Sequence, residues 1–388
     1  MLKTFQLLLR IGPVVTSPAP REVMDSLTAV SVKESAAGRS GFSLTFTVSK
    51  NGRIMQDLLP NGYFEPIATR VQIVVIAQGT PTTLIDGIVA KLDFAPSNEP
   101  NKTTLTVTGE DVSLMMDLLE LTGLPFPFMP AEARVLALLA KYPMYGIVPI
   151  VIPSPLFEVP NALDEVPHQQ GTDLNYIKYL ASETGYTFYI KPGPVLGMNY
   201  AYWGPEIRWP TTSAIAAATP LGATQPALNI NMDELSTLDS MSFSFDGLAG
   251  AIYVVSARIP GLCFNVPIPV PPVGILRPAL AEQQPIPHRL EYVANTNDAG
   301  PIRAALLGLA RASQQGDAVT GSGSFDVERY GRILRARNLV GIRGAGIAFD
   351  GYYYVTSVSH DIKRGDYKQS FTVAREGLVP TTNTVQVS

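Results

Sequence analysis

The stretch DGYYYVTSVSHDIKRGDYKQSFTVARE, residues 350–376, holds two alternating runs around a short polar turn, the pattern of a β-hairpin. Strict alternation puts Tyr352, Tyr354, Thr356, Val358, His360 and Ile362 on one face. Tyr353, Val355, Ser357 and Ser359 fall on the other. After Lys363-Arg364-Gly365-Asp366 the period of two resumes through Tyr367, Gln369, Phe371 and Val373. Residues 86–110, DGIVAKLDFAPSNEPNKTTLTVTGE, echo this stretch. Asp-Gly opens both (Asp86-Gly87 and Asp350-Gly351), a polar turn divides both, Thr104–Val107 matches Ser370–Val373, and Glu110 matches Glu376. Shared composition gives any two hairpins Asp-Gly turns and Thr/Val strands, so the test is whether the two sheets superpose. An internal repeat would mean one similar β unit at each end of the chain.

At 388 residues, two or three domains are expected. Charged residues make up 16%, against roughly 25% in an average soluble protein, while the hydrophobic fraction of 46% is ordinary. Such a surface is expected to be covered by further copies or partners. No run approaches the 18 or so apolar residues of a membrane-spanning helix, so membrane insertion is not expected. The opening MLKTFQLLLRIGPVV imitates an export signal, but Arg10 interrupts it and no small-residue cleavage site follows. Phe5, Leu7, Leu9 and Ile11 alternate and predict a first strand. A net charge of −4 without basic clusters argues against sequence-specific nucleic-acid binding. The single Cys263 fits a chain made in a reducing cytoplasm, and the 33 prolines and 32 glycines suit a turn-rich β protein.

Strand signals dominate residues 1–112, as in SGFSLTFTVSK and TRVQIVVIAQG. Helical patterns take over from 113, in VSLMMDLLELTG and PAEARVLALLAKYP. In GTDLNYIKYLASETGYTFYI, Thr172 or Asp173 can cap a helix whose stripe is Leu174, Ile177 and Leu180; Gly185 ends it and a strand follows. The expected fold class is therefore mainly β with an α+β middle domain: two tube-like β-barrels flanking a mixed α/β domain. The expected boundaries are 1–112 for the first barrel, 113–225 for the middle domain, and 226–258 plus 325–388 for the second barrel. Residues 259–324 read as a Pro-rich insertion with one helix, PIRAALLGLARASQQG, and a flexible TGSGS, because proline removes the donors a central strand needs.

The ending YYYVTSVSHDIKRGDYKQSFTVAREG, the earlier TTLTVTGEDVSLMMDL and the helix–strand GTDLNYIKYLASETGYTFYI together resemble the late-control-D type of baseplate hub. Related hubs occur in contractile phage tails, contractile injection systems and the N-terminal part of VgrG proteins, and the resemblance covers roughly 1–258 and 325–388. It implies a structural homotrimer in which each chain contributes two barrels. The six barrels would match a sixfold tail-tube ring on one side and a trimeric spike, as a separate chain, on the other, amid other baseplate proteins. A duplicated unit is what such an adaptor requires. The protein would be made in the bacterial cytoplasm and end in an assembled phage tail or injection particle.

No catalytic, metal or cofactor site is expected. His168, His288 and His360 lie far apart in the sequence, Cys263 has no CxxC partner, and GIRGAG at 341–346 reads as a turn rather than a phosphate loop. The Arg364-Gly365-Asp366 tripeptide reads as the hairpin turn, and Asn101-Lys102-Thr103 as an unused sequon. Candidate interface residues are Tyr352, Tyr353, Tyr354, His360 and Phe371, since three consecutive tyrosines must occupy both faces of a strand. The alternative functions are a peptidoglycan or glycan hydrolase, which needs paired carboxylates, and a glycan-binding module using Trp203 and Trp209.

Overall fold

The computed structural model describes residues 5–77, 79–99, 102–154, 166–208, 224–258, 265–270, 277–293, 301–314 and 316–382. The first part of the chain supplies β1 (Phe5–Gly12), β2 (Ser17–Pro18), β3 (Leu27–Ser35), β4 (Gly41–Thr47), β5 (Arg70–Ala77), β6 (Thr80–Ala95) and β7 (Thr104–Asp111). Alternation sets their faces: Val30, Val32, Phe42, Leu44, Phe46, Leu105 and Val107 are buried, while the residues between them are more exposed.

The middle region holds β8 (Ile147–Val151), β9 (Thr187–Pro192) and β10 (Asn199–Gly204), with β10 central, parallel to β8 and antiparallel to β9. Helices Ala131–Leu139 and Asp173–Thr184 share a core with this sheet through Val135, Leu138, Leu174, Ile177, Leu180 and Trp203. Thr172 caps the second helix, its Oγ1 accepting from the Asn175 amide at 3.2 Å, and Gly185 ends it at φ 72°. The expected helix from 112 is only a 3₁₀ stretch, Val112–Asp117, which Asp111 caps by accepting from the Ser113 amide.

The remaining strands are β11 (Thr224–Asn229), β12 (Ser240–Phe245), β13 (Ala251–Arg258), β14 (Asn265–Val270), β15 (Ala281–Gln283), β16 (Arg289–Tyr292), β17 (Val319–Asp326), β18 (Leu339–Arg343), β19 (Gly351–Lys363), β20 (Asp366–Arg375) and β21 (Leu378–Pro380). Two boundaries differ from the sequence expectation. Strand β13 pairs with β14 and β16, and its core includes Ala304 and Ala312 of helix Pro301–Ser313, so residues 251–258 go with the insertion. Prolines 267 and 269 sit on β14, an edge strand, where missing donors are tolerated. Conversely, TGSGS is no flexible linker but the heart of β17. A Cβ on Gly323 would lie 2.8 Å from both Phe371 Cζ and Met241 Sδ, so the glycines make room for neighbours rather than for motion.

Among the described residues thirteen strands form one sheet along the path β12-β17-β20-β19-β3-β4-β7-β6-β5-β1-β2, with β18 on β19 and β11 on β18. Among the described residues neither end of the chain closes into a barrel; the two barrels expected from the sequence are instead two units of one open sheet. The internal repeat is visible as strand order. The first unit runs β1-β5-β6-β7-β4-β3 and the second β11-β18-β19-β20-β17-β12. In each, the order by chain rank is first, fourth, fifth, sixth, third, second. Every neighbouring pair in the two units is antiparallel except β11 with β18, which is parallel. The units join where β19 of the second pairs with β3 of the first, from Ser357 opposite Ser35 to Lys363 opposite Ala29.

Both hairpins carry a bulge at the same place. Register slips between Val89 and Lys91 against β7, and between Val355 and Ser357 against β20. A bulge reverses the phase of alternation. Tyr353 and Val355 therefore share the main core with Val358 and Ile362, whereas Tyr352 and Tyr354 pack on the opposite side with Leu280 and Leu339. The bulges align Val89 with Val355, two residues away from the Asp-Gly match; a shift of two leaves every side chain on its original face.

Candidate functional site: the polar sheet face and its edges

Eight strands, four from each unit, turn one face into the core and the other outward. The outward face of the second unit is almost entirely hydroxyl: Ser242, Ser322, Ser324, Ser357, Ser359, Ser370 and Thr372. Cross-strand contacts hold it flat, with Ser242 and Ser322 hydroxyls 2.9 Å apart and Ser240 and Ser324 hydroxyls 3.0 Å apart. Ser31, Ser43, Thr45, Thr106 and Thr108 continue it across the first unit. At the seam, the Ser31 hydroxyl donates to Asp361 Oδ1 at 3.1 Å. Lys33, Lys91, Asp93, Asp361, Lys363 and Lys368 add charge of both signs. The wall is thus built of small polar side chains and of charges of both signs, with a shallow depression lined by Ser242, Ser322, Ser357, Ser359 and Ser370.

Beneath the seam lies a buried ionic cluster. Arg335 Nε is 2.7 Å from Glu34 Oε1, His360 Nε2 is 3.3 Å from the same oxygen, and the Ala336 amide donates to Glu34 Oε2 at 3.1 Å. Burial would raise the Glu34 carboxyl, but Arg335, His360 and the Ala336 amide outweigh it and hold it down at about 2. The Gln369 amide is oriented by Leu334, accepting from its N–H at 3.0 Å and donating to its carbonyl at 2.9 Å. Its Nε2 lies 3.1 Å from His360 Nδ1, which the Tyr367 hydroxyl also approaches at 2.8 Å. Arg335 also donates to the Thr83 carbonyl at 2.8 Å, so one guanidinium from the second unit grips β3 and β6 of the first.

Two further networks fix the flanking regions. Asp86 accepts from Arg70 Nε and Nη2 and from Gln72 Nε2, each at 2.7 Å, and Arg70 Nη2 also donates to the carbonyls of Tyr145 (3.0 Å) and Gly197 (3.1 Å). This fork ties the first unit to the middle sheet. Arg208 donates to both Asp317 oxygens at 2.5 and 2.8 Å, and lies 4.5 Å from the Tyr354 ring centroid. Burial opposes its charge, but Asp317 and Glu206 outweigh it and keep it above the usual arginine range.

The five residues proposed from sequence as interface candidates are buried within the chain. Tyr352, Tyr353, Tyr354, His360 and Phe371 expose between 0% and 6%. A second layer covers the outer side of β19, Arg208 and Leu280 over Tyr354 and Tyr352; Tyr353, in the main core, has Arg375 4.4 Å from its ring centroid. Trp203 is fully buried with its ring 4.9 Å from Tyr186, so it offers no platform for a sugar. Cys263, Trp209 and Asn101 lie outside the described residues. Gly365 turns the hairpin at φ 81°, as its position in the tripeptide predicts, and Gly344 and Gly346 turn the 341–346 stretch at φ 89° and 96°. His168 and His288 are exposed and apart. Among the described residues no group of three His, Cys, Asp or Glu could hold a metal ion, and no helix is long and apolar enough to cross a membrane.

Sequence reasoning passed over the two open edges of the eight-strand wall. Among the described residues, strand β12 pairs on one side only, with β17. Strand β6 pairs with β5 through Thr80–Ile88, but beyond the bulge its residues 91–95 pair, among the described residues, only with β7. Large apolar side chains stand exposed at both, Phe245 at 43% and Phe94 at 47%. Their sequence signal is aromatic–polar alternation in SMSFSF and KLDF.

The fold, with its repeated β unit, is one found in solved prophage tail proteins. Solved structures with this fold match over nearly the whole chain. A tail protein from Neisseria meningitidis MC58 matches at TM-score 0.60 and 12% identity, covering 97% of this chain and 98% of its own. The 43 kDa tail protein of prophage MuSo2 from Shewanella oneidensis matches at TM-score 0.60 and 14% identity, covering 96% and 98%. An E. coli component of the type VI secretion system, described as structurally similar to bacteriophage T4 tail proteins, matches at TM-score 0.51 and 10% identity, covering 94% and 76%. No family model matches the chain, and no curated protein matches it.

Proposed function

We propose that this chain is the structural baseplate hub of a contractile tail or injection particle, a homotrimer that adapts a sixfold tail tube to a trimeric spike. The carrying observation is the same six-strand order occurring twice in one sheet. Three such chains present six equivalent units to a tube ring and only three copies of everything else to a spike. The hydroxyl-lined face suits the bore, where cargo must slide without adhering, and a low charge content suits a chain covered by neighbours. The protein acts by position and load-bearing, without turnover. The names of the matching tail proteins support this reading; the buried carboxylates Glu34, Asp86 and Asp317 are engaged by arginines rather than paired for hydrolysis. The test is molar mass in solution together with imaging of assembled particles, with three chains per particle expected. Any other number overturns the adaptor role, and a muralytic activity lost on one Asp or Glu change favours the hydrolase.

A further inference from the structure

Three loops, one from the first unit and two from the middle region, meet at a single guanidinium. Arg70 donates from Nη1 to the Val14 carbonyl at 3.1 Å, and from Nη2 to the carbonyls of Tyr145 at 3.0 Å and Gly197 at 3.1 Å. The loops read GPVV at residues 12–15, PMYG at 143–146 and GPVLG at 193–197. Each sets a proline directly before its tip: Pro13 before Val14 and Val15, Pro143 before Met144, and Pro194 before Val195 and Leu196. The five apolar side chains of these tips expose between 41% and 83%, with Val15 the most open. Residues 11–20, 142–149 and 192–199 contain no charged side chain. The tips therefore form one uncharged apolar crown, held in place by the buried Arg70–Asp86 fork.

From this convergence we infer that the crown docks on an uncharged phospholipid surface, its tips dipping to the acyl boundary while the rest of the chain stays outside. Three features favour lipid over a protein partner. The first is shape. A valine as open as Val15 stands clear of its neighbours, and a fluid surface accepts such a tip without a complementary pocket. The second is the backbone, whose unpaired polar groups are costly in hydrocarbon. Each proline brings no N–H, the Gly146 amide donates to the Pro143 carbonyl at 3.0 Å, and the Met198 amide donates to the Val195 carbonyl at 3.1 Å. Arg70 takes the three carbonyls named above. The third is composition: the tips expose neither an aromatic ring nor an arginine, the residues that anchor most protein–protein contacts. A crown that lies on a bilayer needs no spanning helix, and none is present among the described residues. The inference is separate from the hub reading, because the crown is complete within one chain.

The test is flotation of the full chain with vesicles of pure phosphatidylcholine. Binding is expected, with a bound fraction that stays the same between about 0.05 M and 0.5 M salt, because no charge takes part. Val15→Asp and Leu196→Asp are each expected to lower the partition at least about tenfold. Neither side chain belongs to a core, so thermal unfolding is expected to stay unchanged. Ile347→Asp, at a side chain as exposed as Val15 but in the second unit, is expected to leave the partition unchanged. Should an aspartate variant fail to fold, Val15→Trp decides: brominated acyl chains are expected to quench its added fluorescence, and an unquenched tryptophan overturns the inference. No binding, binding only to anionic lipid, or an equal loss in Ile347→Asp also overturns it. A chain that self-associates without vesicles and that Val15→Asp returns to the monomer gives the crown to a protein contact instead, which overturns the lipid reading. Trimers that ignore the vesicles overturn the docking and leave the hub reading standing.

Discussion

Glutamine in place of Glu34 isolates the ionic seam between the two units. The substitution keeps the size of the side chain and an oxygen for the Ala336 amide, but removes the charge that Arg335 and His360 face. The gap between the ordinary 4.5 and about 2 for this fully buried carboxyl corresponds to about 3 kcal/mol. Removing one partner of a buried pair independently costs about 3–5 kcal/mol. The folded value lies below the unfolded one, so the contribution is complete above pH 4.5 and is lost as pH falls towards 2. By the same linkage, about 3 kcal/mol at pH 6 shrinks to about 1 kcal/mol at pH 3. Urea unfolding of the wild type and Glu34→Gln at both pH values measures this directly as the difference between the two proteins. A difference that stays constant between pH 6 and pH 3, or one below about 1 kcal/mol at pH 6, refutes the claim that the seam is held by an ionised Glu34.

Asp86→Asn leaves the Arg70 guanidinium buried against an uncharged amide, and is expected to cost about 3–5 kcal/mol in urea unfolding, with hydrogen exchange rising first where Arg70 meets the Tyr145 and Gly197 carbonyls. Gly185→Ala meets two obstacles together, the φ of 72° and a Cβ 2.7 Å from the Ala310 backbone, and is expected to cost more than about 1 kcal/mol in thermal unfolding; a neutral result would mean that the insertion helix does not pack there.

What the sequence disclosed was local periodicity and repetition. The hairpin at 350–376, its echo at 86–110, the Thr172 cap and the Gly185 stop are all set within a few residues of chain, and all are found in the fold. What it concealed depends on partners far away. The bulge at Thr356 falls where β19 passes from β18 to β3, and that single extra residue moves Tyr353 to the core. Gly321 and Gly323 read as a linker because nothing nearby says that Phe243, Met241 and Phe371 crowd them. Burial of Tyr352 and Tyr354 depends on Arg208 and Leu280, more than 70 residues upstream. The seam cluster brings Glu34 to Arg335 and His360, a pairing no local pattern encodes.

The strand β1 runs antiparallel to β5, whereas its counterpart β11 runs parallel to β18, and only the second unit carries the insertion built on β13. The copies have thus drifted apart on their outskirts while keeping their shared wall. In the ring proposed above, the inner lining would recur with every unit and the outskirts only with every chain. On that proposal one polypeptide would offer one periodicity to the bore and half that periodicity to what fastens on from outside.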